Sequence, residues 1–385
     1  MMNGNYIPVG GISVANKSIT RNPGLDVVRC GALLLIHVAH FFDGIGFYDR
    51  LVCGSWMYLG TILRCTSMAC VPLFLLLSGY LMNRKMPCKN HYKGLLKTLV
   101  LYLLVSITYI LYRWIRSLVM GDEVFVLTDR LLRILSFSNT GYEWYIEMYI
   151  GLYLIVPYLN LIYHNLDSRE SKRRLVLTFF LITSLPYMTN IFRFDSWQWW
   201  LHPASNASYQ QLLPDFWTQA FPITFYFTGA YLSEFPLKLK RSRCIPALLG
   251  TILIYGTFCF YRSYNQQYVD GCWSWSFAPV VLFIAVLIFH LFSGLDYSRL
   301  HPWAAKLFSK IAALSLGAYL VSRIYDEIVY GLIARYVPVF HHRLLLLPIA
   351  VAVVGCCSLL TAAVLHRIST ALLASGKAKS GTSAK

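Results

Sequence analysis

Apolar runs of membrane-spanning length recur along most of this chain. A helix needs about 20 apolar residues to cross the hydrocarbon core of a bilayer. Ten stretches meet or approach that length: 25–47, 55–82, 95–119, 141–163, 174–192, 216–234, 245–263, 274–293, 308–333 and 343–367. They are too long for strands and do not alternate between polar and apolar residues. The sequence therefore predicts an all-α integral membrane protein with about ten transmembrane helices. Composition agrees, since 57% of the 385 residues are hydrophobic and only 13% are charged. Such a chain cannot cover a soluble surface with polar groups, and it is too apolar to stay disordered.

Charge orients the spans. Lys and Arg number 34 against 17 Asp and Glu, a formal net charge of +17. The basic residues collect in alternate loops. Lys17 and Arg21 precede the first span; Arg84, Lys85, Lys89 and Lys93 separate the second and third; Arg169, Lys172, Arg173 and Arg174 follow the fourth. Lys238, Lys240, Arg241 and Arg243 follow the sixth, Arg299, Lys306 and Lys310 precede the ninth, and Arg367, Lys377, Lys379 and Lys385 follow the last. Positive loops stay on the cytoplasmic side, so both termini are expected there. The intervening loops, 194–215 and 264–275, carry Trp197, Trp199, Trp200, Trp273 and Trp275, which suit the outer interface.

This gives a cytoplasmic segment at 1–24, a polytopic membrane domain at 25–367 and a disordered cytoplasmic tail at 368–385. The expected location is the inner or plasma membrane, with lipid as the surrounding partner. Basic residues dispersed over short loops do not form a nucleic-acid surface. The ten cysteines show no CxxC pair and no Cys/His metal spacing, so no metal is expected. Cys53 and Cys272 fall in outer loops and are candidates for a bridge.

Ionisable groups inside a bilayer are costly unless paired or wet, which makes them the informative residues. In the first span, LDVVRCGALLLIHVAHFF, helical spacing sets Asp26, Arg29, His37 and His40 within an arc of about 80°. His40 lies 11 residues past Arg29, about 16 Å deeper along a helix. Span four brings Trp144 and Glu147 in from the outer edge, and span nine brings Arg323, Asp326 and Glu327 to a similar level. His40, Glu147 and either Asp326 or Glu327 can thus share an outer layer. Arg29, Ser78, Lys93 and Lys97 form an inner set. The plainer alternative is mutual salt bridging that only holds helices together.

Cations at an inner mouth suit a phosphorylated cytosolic ligand. An imidazole beside an acid suits general-base chemistry on a hydroxyl that attacks an acyl carbon. Tyr80 and Trp144 are read as shaping the pocket rather than reacting.

Four elements resemble the membrane acyltransferase-3 family, bacterial multi-span enzymes that O-acylate surface sugars. They are Arg29 and His40 as Arg-x10-His; VPLFLLLSGYLM at 71–82, with Phe74, Ser78, Gly79 and Tyr80; EWYIEMYIGLYLIVPYL at 143–159; and LSLGAYLVSRIYD at 314–326. The resemblance implies transfer of an acyl group, usually acetyl from acetyl-CoA, to a hydroxyl of a lipid-linked or surface glycan. It makes His40 catalytic and Arg29 a donor contact. Two departures stand out. The family's Arg-x-x-Arg at the start of span three is missing, with Lys93 and Lys97 the nearest candidates, and the late His of the fourth element is replaced by Ser322. Two other classes compete with this reading: a secondary transporter of a small solute, and an inactive membrane partner in glycan assembly.

Overall fold

The computed structural model describes residues 22–121, 125–202 and 209–382. Residues 1–21, with Lys17 and Arg21, and residues 383–385 lie outside the described part. Fifteen α-helices follow in order. They are α1 Pro23–Gly44, α2 Gly54–Ser67, α3 Cys70–Met82, α4 Lys89–Met120, α5 Leu127–Leu135, α6 Trp144–His164, α7 Arg169–Phe179 and α8 Pro186–Thr189. There follow α9 Trp197–Leu201, α10 Phe221–Glu234, α11 Arg241–Arg262, α12 Pro279–Ser293, α13 Pro302–Tyr336, α14 Phe340–Leu345 and α15 Leu347–Thr382. No strand occurs among the described residues; two isolated bridges, Leu51 to Gln267 and Val52 to Tyr264, tie one loop pair together.

Among the described residues, eight helical segments are long and apolar enough to cross a membrane: Pro23–Gly44, Gly54–Met82, His91–Met120, Trp144–His164, Arg241–Arg262, Cys272–Ser293, Pro302–Tyr336 and Leu347–Ser375. The two other expected spans are helical but different in kind. The stretch read as 174–192 begins in the charged turn of α7 and passes through a π-helical turn at Phe180–Ser184 before α8. The stretch read as 216–234 contains α10, which has only 14 residues. The last helix also departs from expectation: residues 368–382, read as disordered tail, continue α15.

Helix starts follow local chemistry. Asn22 caps α1 by accepting a hydrogen bond from the Gly24 amide at 2.8 Å, and Pro23 occupies the first turn, where its missing N–H costs nothing. At the far end Arg343 gathers otherwise unpaired carbonyls. Its guanidinium donates to Ile45 O at 2.7 Å, Ala334 O at 2.9 Å and Val337 O at 2.6 Å, tying the ends of α1 and α13 together.

Two packing features position the interior. α1 runs along α13, and α3 crosses α10 at very close range. Glycine permits that crossing: a Cβ at Gly79 would collide with the Tyr226 carbonyl, and one at Gly229 with the Leu76 carbonyl. Close backbone approach through small residues is the common way for helices to pack in lipid. Beside it, buried Asn160 of α6 donates to Met82 O and Lys85 O, each at 2.8 Å, and accepts from the Tyr226 hydroxyl at 2.7 Å. One amide thereby joins α6, α10 and the end of α3, and Pro157 sits one turn before it without ending α6.

Candidate active site

A cavity of about 1230 Å³ runs through the bundle between α1, α3, α6 and α13. Arg29 and His40 both line it. Near Arg29 the wall is largely apolar, with Leu81, Met82, Ile155, Ala312 and Ala313. Toward His40 it turns polar and aromatic, with Asp43, Tyr48, Arg64, Asp270 and Trp275; Glu147 of α6 lines it as well.

His40 is held by α13 and by the loop ahead of α6. Its Nδ1 lies 3.3 Å from Asp326 Oδ2, an ion-pair approach whose alignment falls short of a hydrogen bond. The imidazole stacks on Tyr142 with centroids 3.8 Å apart and ring planes 20° apart. The Tyr142 hydroxyl donates to the same Asp326 oxygen at 2.9 Å, and Ser322 Oγ lies 3.3 Å from it, sharing its proton with the nearer Tyr319 carbonyl at 2.9 Å. Tyr319 closes the group by donating to the Tyr142 carbonyl at 2.5 Å. Asp326 is 5% exposed and the His40 side chain 14%; His40 lines the cavity, and Asp326 stands behind it, outside the lining. Ser322, which stands where the resemblance expects a histidine, thus supports the carboxylate that faces His40.

The two neighbouring carboxylates of α13 point different ways, as successive helical residues must at about 100° apart. Asp326 faces His40. Glu327 instead accepts from Tyr109 at 2.9 Å, Arg113 at 3.3 Å, Arg116 at 3.2 Å and Arg323 at 2.9 Å. Glu327 and Arg323 line a separate, smaller cavity of about 480 Å³. Arg323 also sets its guanidinium 5.3 Å from the Tyr142 ring centroid. For these two residues the salt-bridge alternative describes the structure.

The polar stripe of α1 divides. Arg29 and His40 reach the cavity, whereas Asp26 and His37 are buried at 6% and 2% exposure and do not line it. The His37 ring nitrogens have no hydrogen-bond partner among the described residues. Residues 11 apart differ by only about 20° on a helix, so Asp26 aligns with His37 and Arg29 with His40, the two lines being about 60° apart. An arc of that width is enough to put one line in the cavity and the other in the packed core.

The inner set divides too. Ser78 lines the cavity, although its hydroxyl donates to its own helix at Phe74 O, 2.8 Å away. Lys93 and Lys97 do not: both are exposed on α4, outside the cavity lining. Tyr80 packs on Phe289 with centroids 5.3 Å apart and likewise does not line the cavity. Trp144 and Glu147 do, both exposed to it, and Glu147 makes no ion pair among the described residues. Cys53 and Cys272 are free thiols rather than a bridge.

Sequence reasoning missed four groups here. Asp43 sits three residues after His40, and extending the helical arithmetic by one turn would have found it. Arg64 lies in the middle of the second apolar run, where a lone charge is itself a signal. Its nitrogens donate to Asp270 at 2.7 Å, Ser274 O at 2.5 Å and the Tyr48 hydroxyl at 3.1 Å. Burial pushes the Tyr48 phenol up to about 12, so it remains a neutral acceptor for Arg64. Asp270 comes from a loop and Tyr142 from the residues before α6, and neither carried a local pattern that pointed to the site.

Comparison with curated proteins and with solved structures returns no match. A family model for acyltransferase-3, described as an acyltransferase domain, matches residues 22–367. That match spans nearly all of the helical bundle and every wall of the His40 cavity: the chain is a multi-pass membrane protein that belongs to the acyltransferase-3 family.

Proposed function

We propose that this protein transfers an acyl group, acetyl in the first instance, from acetyl-CoA to a hydroxyl of a lipid-linked or cell-surface glycan. In this reading it sits in the inner or plasma membrane with both termini cytoplasmic. The donor enters from the Arg29 end, where the guanidinium meets its phosphates. The pantetheine arm lies along the apolar wall between α1, α3 and α13, so that the thioester reaches His40. The acceptor comes from the opposite end.

His40 Nε2 then takes the proton as the acceptor oxygen attacks the thioester carbonyl. The carbon–oxygen bond forms, the carbon–sulfur bond breaks, and the imidazolium returns its proton to the departing thiolate. Asp326 holds Nδ1 and favours the imidazolium while it exists. Tyr142 orients that carboxylate by hydrogen bond and the imidazole by stacking, with Ser322 adding a second donor.

The observation that carries this reading is His40, backed by Asp326, lining a cavity that Arg29 also lines, within a chain of this family. The deciding experiment compares surface polysaccharide by mass spectrometry from cells with and without the gene, alongside the reconstituted protein supplied with labelled acetyl-CoA. Loss of O-acyl groups in the deletion and thiol release in vitro support it. Unchanged glycans with no turnover of acetyl-CoA overturn it. Solute movement without acetyl-CoA consumption would establish the transporter instead.

A further inference from the structure

The cavity does not end at His40, and the groups beyond it have a distinctive balance. Asp43 follows His40 by three residues on the same helix and lines the same space. It lies within electrostatic reach of His40, Arg64, Asp270 and Asp326, yet its carboxylate has no side-chain partner among the described residues. Arg64 does not supply one. All its nitrogens are engaged with Asp270, Ser274 and Tyr48, so its charge is already matched by Asp270. Glu147 of α6, which also lines the cavity, likewise lacks an ion-pair partner among the described residues. The cavity wall therefore carries more carboxyl groups than cations to match them, with open acceptor oxygens. Two indoles, Trp144 at 40% and Trp275 at 36% exposure, also line the cavity.

Carboxylates accept hydrogen bonds from hydroxyl groups and make them stronger than neutral acceptors do. The faces of aromatic rings are negative and attract the polarised C–H edges of a saturated ring. Unmatched carboxylates repel an anionic ligand brought alongside them. All three preferences converge on one ligand class.

Resting on the acyl-transfer reading above, we infer that the cavity end beyond His40 is an acceptor subsite for an uncharged, polyhydroxylated ring. Asp43 is its specificity-determining residue. The carboxylate receives acceptor hydroxyls one helical turn past the imidazole, and the indoles cover the ring's apolar edge. Sugars bearing a carboxylate or phosphate are turned away by Asp43 and Glu147 together.

The test uses the full chain in lipid nanodiscs with radiolabelled acetyl-CoA and two acceptors, methyl β-glucoside and methyl β-glucuronide, which differ by one carboxylate. Wild-type protein is expected to prefer the neutral glycoside by about tenfold or more in kcat/KM. In Asp43→Asn the KM for the glucoside should rise about tenfold with kcat changed less than about threefold, and the preference should narrow severalfold. A purely structural role for Asp43 would instead lower kcat for both acceptors alike and leave their ratio untouched, which overturns the proposal. Equal use of both glycosides by the wild type overturns it as well. If neither glycoside is acylated while acetyl-CoA is still cleaved, the acceptor class is wrong but acyl chemistry stands. If acetyl-CoA is not cleaved under any condition, the broader functional reading has failed.

Discussion

His40 of α1 and Asp326 of α13 meet at 3.3 Å although 286 positions separate them in the sequence, and a single oxygen of Asp326 also receives Tyr142 and Ser322. Three groups thus converge on one carboxylate oxygen, and the imidazole lines the cavity. This geometry makes specific, separable demands on the residues around it.

Replacing the imidazole should abolish the chemistry without disturbing the bundle. His40→Ala is expected to lower the rate of CoA release in the presence of acceptor by about 10²–10⁴-fold, the range for a lost general base. Size-exclusion chromatography of the detergent-solubilised variant should match wild type. Normal turnover in a folded His40→Ala protein would end the proposed mechanism.

The adjacent carboxylates of α13 should behave differently. Asp326→Asn is expected to reduce kcat by at least about tenfold, because it weakens support for the imidazolium. Glu327→Gln removes the charge that holds three arginines, so its main effect should be a lower melting temperature with turnover within a few-fold of wild type. Thermal melts and turnover measured on both variants check the contrast.

Donor binding should depend on Arg29 more than on the two lysines of α4. Arg29→Ala is expected to raise the KM for acetyl-CoA by about tenfold or more, while Lys93→Ala and Lys97→Ala change it little, since neither lysine lines the cavity. Initial rates against acetyl-CoA concentration at saturating acceptor separate these outcomes.

The crossing of α3 and α10 should tolerate no added side-chain bulk. Gly79→Val places branched carbons against the Tyr226 carbonyl and forces the helices apart, at a cost of about 1–3 kcal/mol or more. A melting midpoint lower by several degrees, or loss of monodisperse protein, is the expected reading. Gly151→Ala on α6, where a Cβ would meet nothing within 4 Å, serves as the matched control.

Much of this architecture is legible in the sequence because the bilayer leaves few options. Apolar length alone announces an all-helical membrane protein. Hydropathy does not register that α10 is short or that a π turn interrupts the segment after α7, since both depend on backbone geometry within apolar text. Helical arithmetic brought out Arg29 and His40, and it named Asp326 or Glu327 without choosing between them. One residue of rotation decides that choice, and only the packing of α13 on α1 and α4 sets the rotation. The same arithmetic grouped Asp26 and His37 with the cavity line because an 80° window is wider than one face of a crowded helix. Lys93 and Lys97 were drawn in by charge and position, but α4 carries both on an exposed face outside the cavity lining. Asp270 and Tyr142 come from loops, where no period exists to reveal which way a side chain will point.

Glu327 binds α13 to the arginines of α4 at the bundle's flank, and its immediate predecessor completes the pair with His40. Consecutive residues on one helix cannot rotate independently. The arginine clasp therefore helps fix the rotation at which Asp326 meets the imidazole. The flank of the bundle and the chamber within are thereby held in register by one helix.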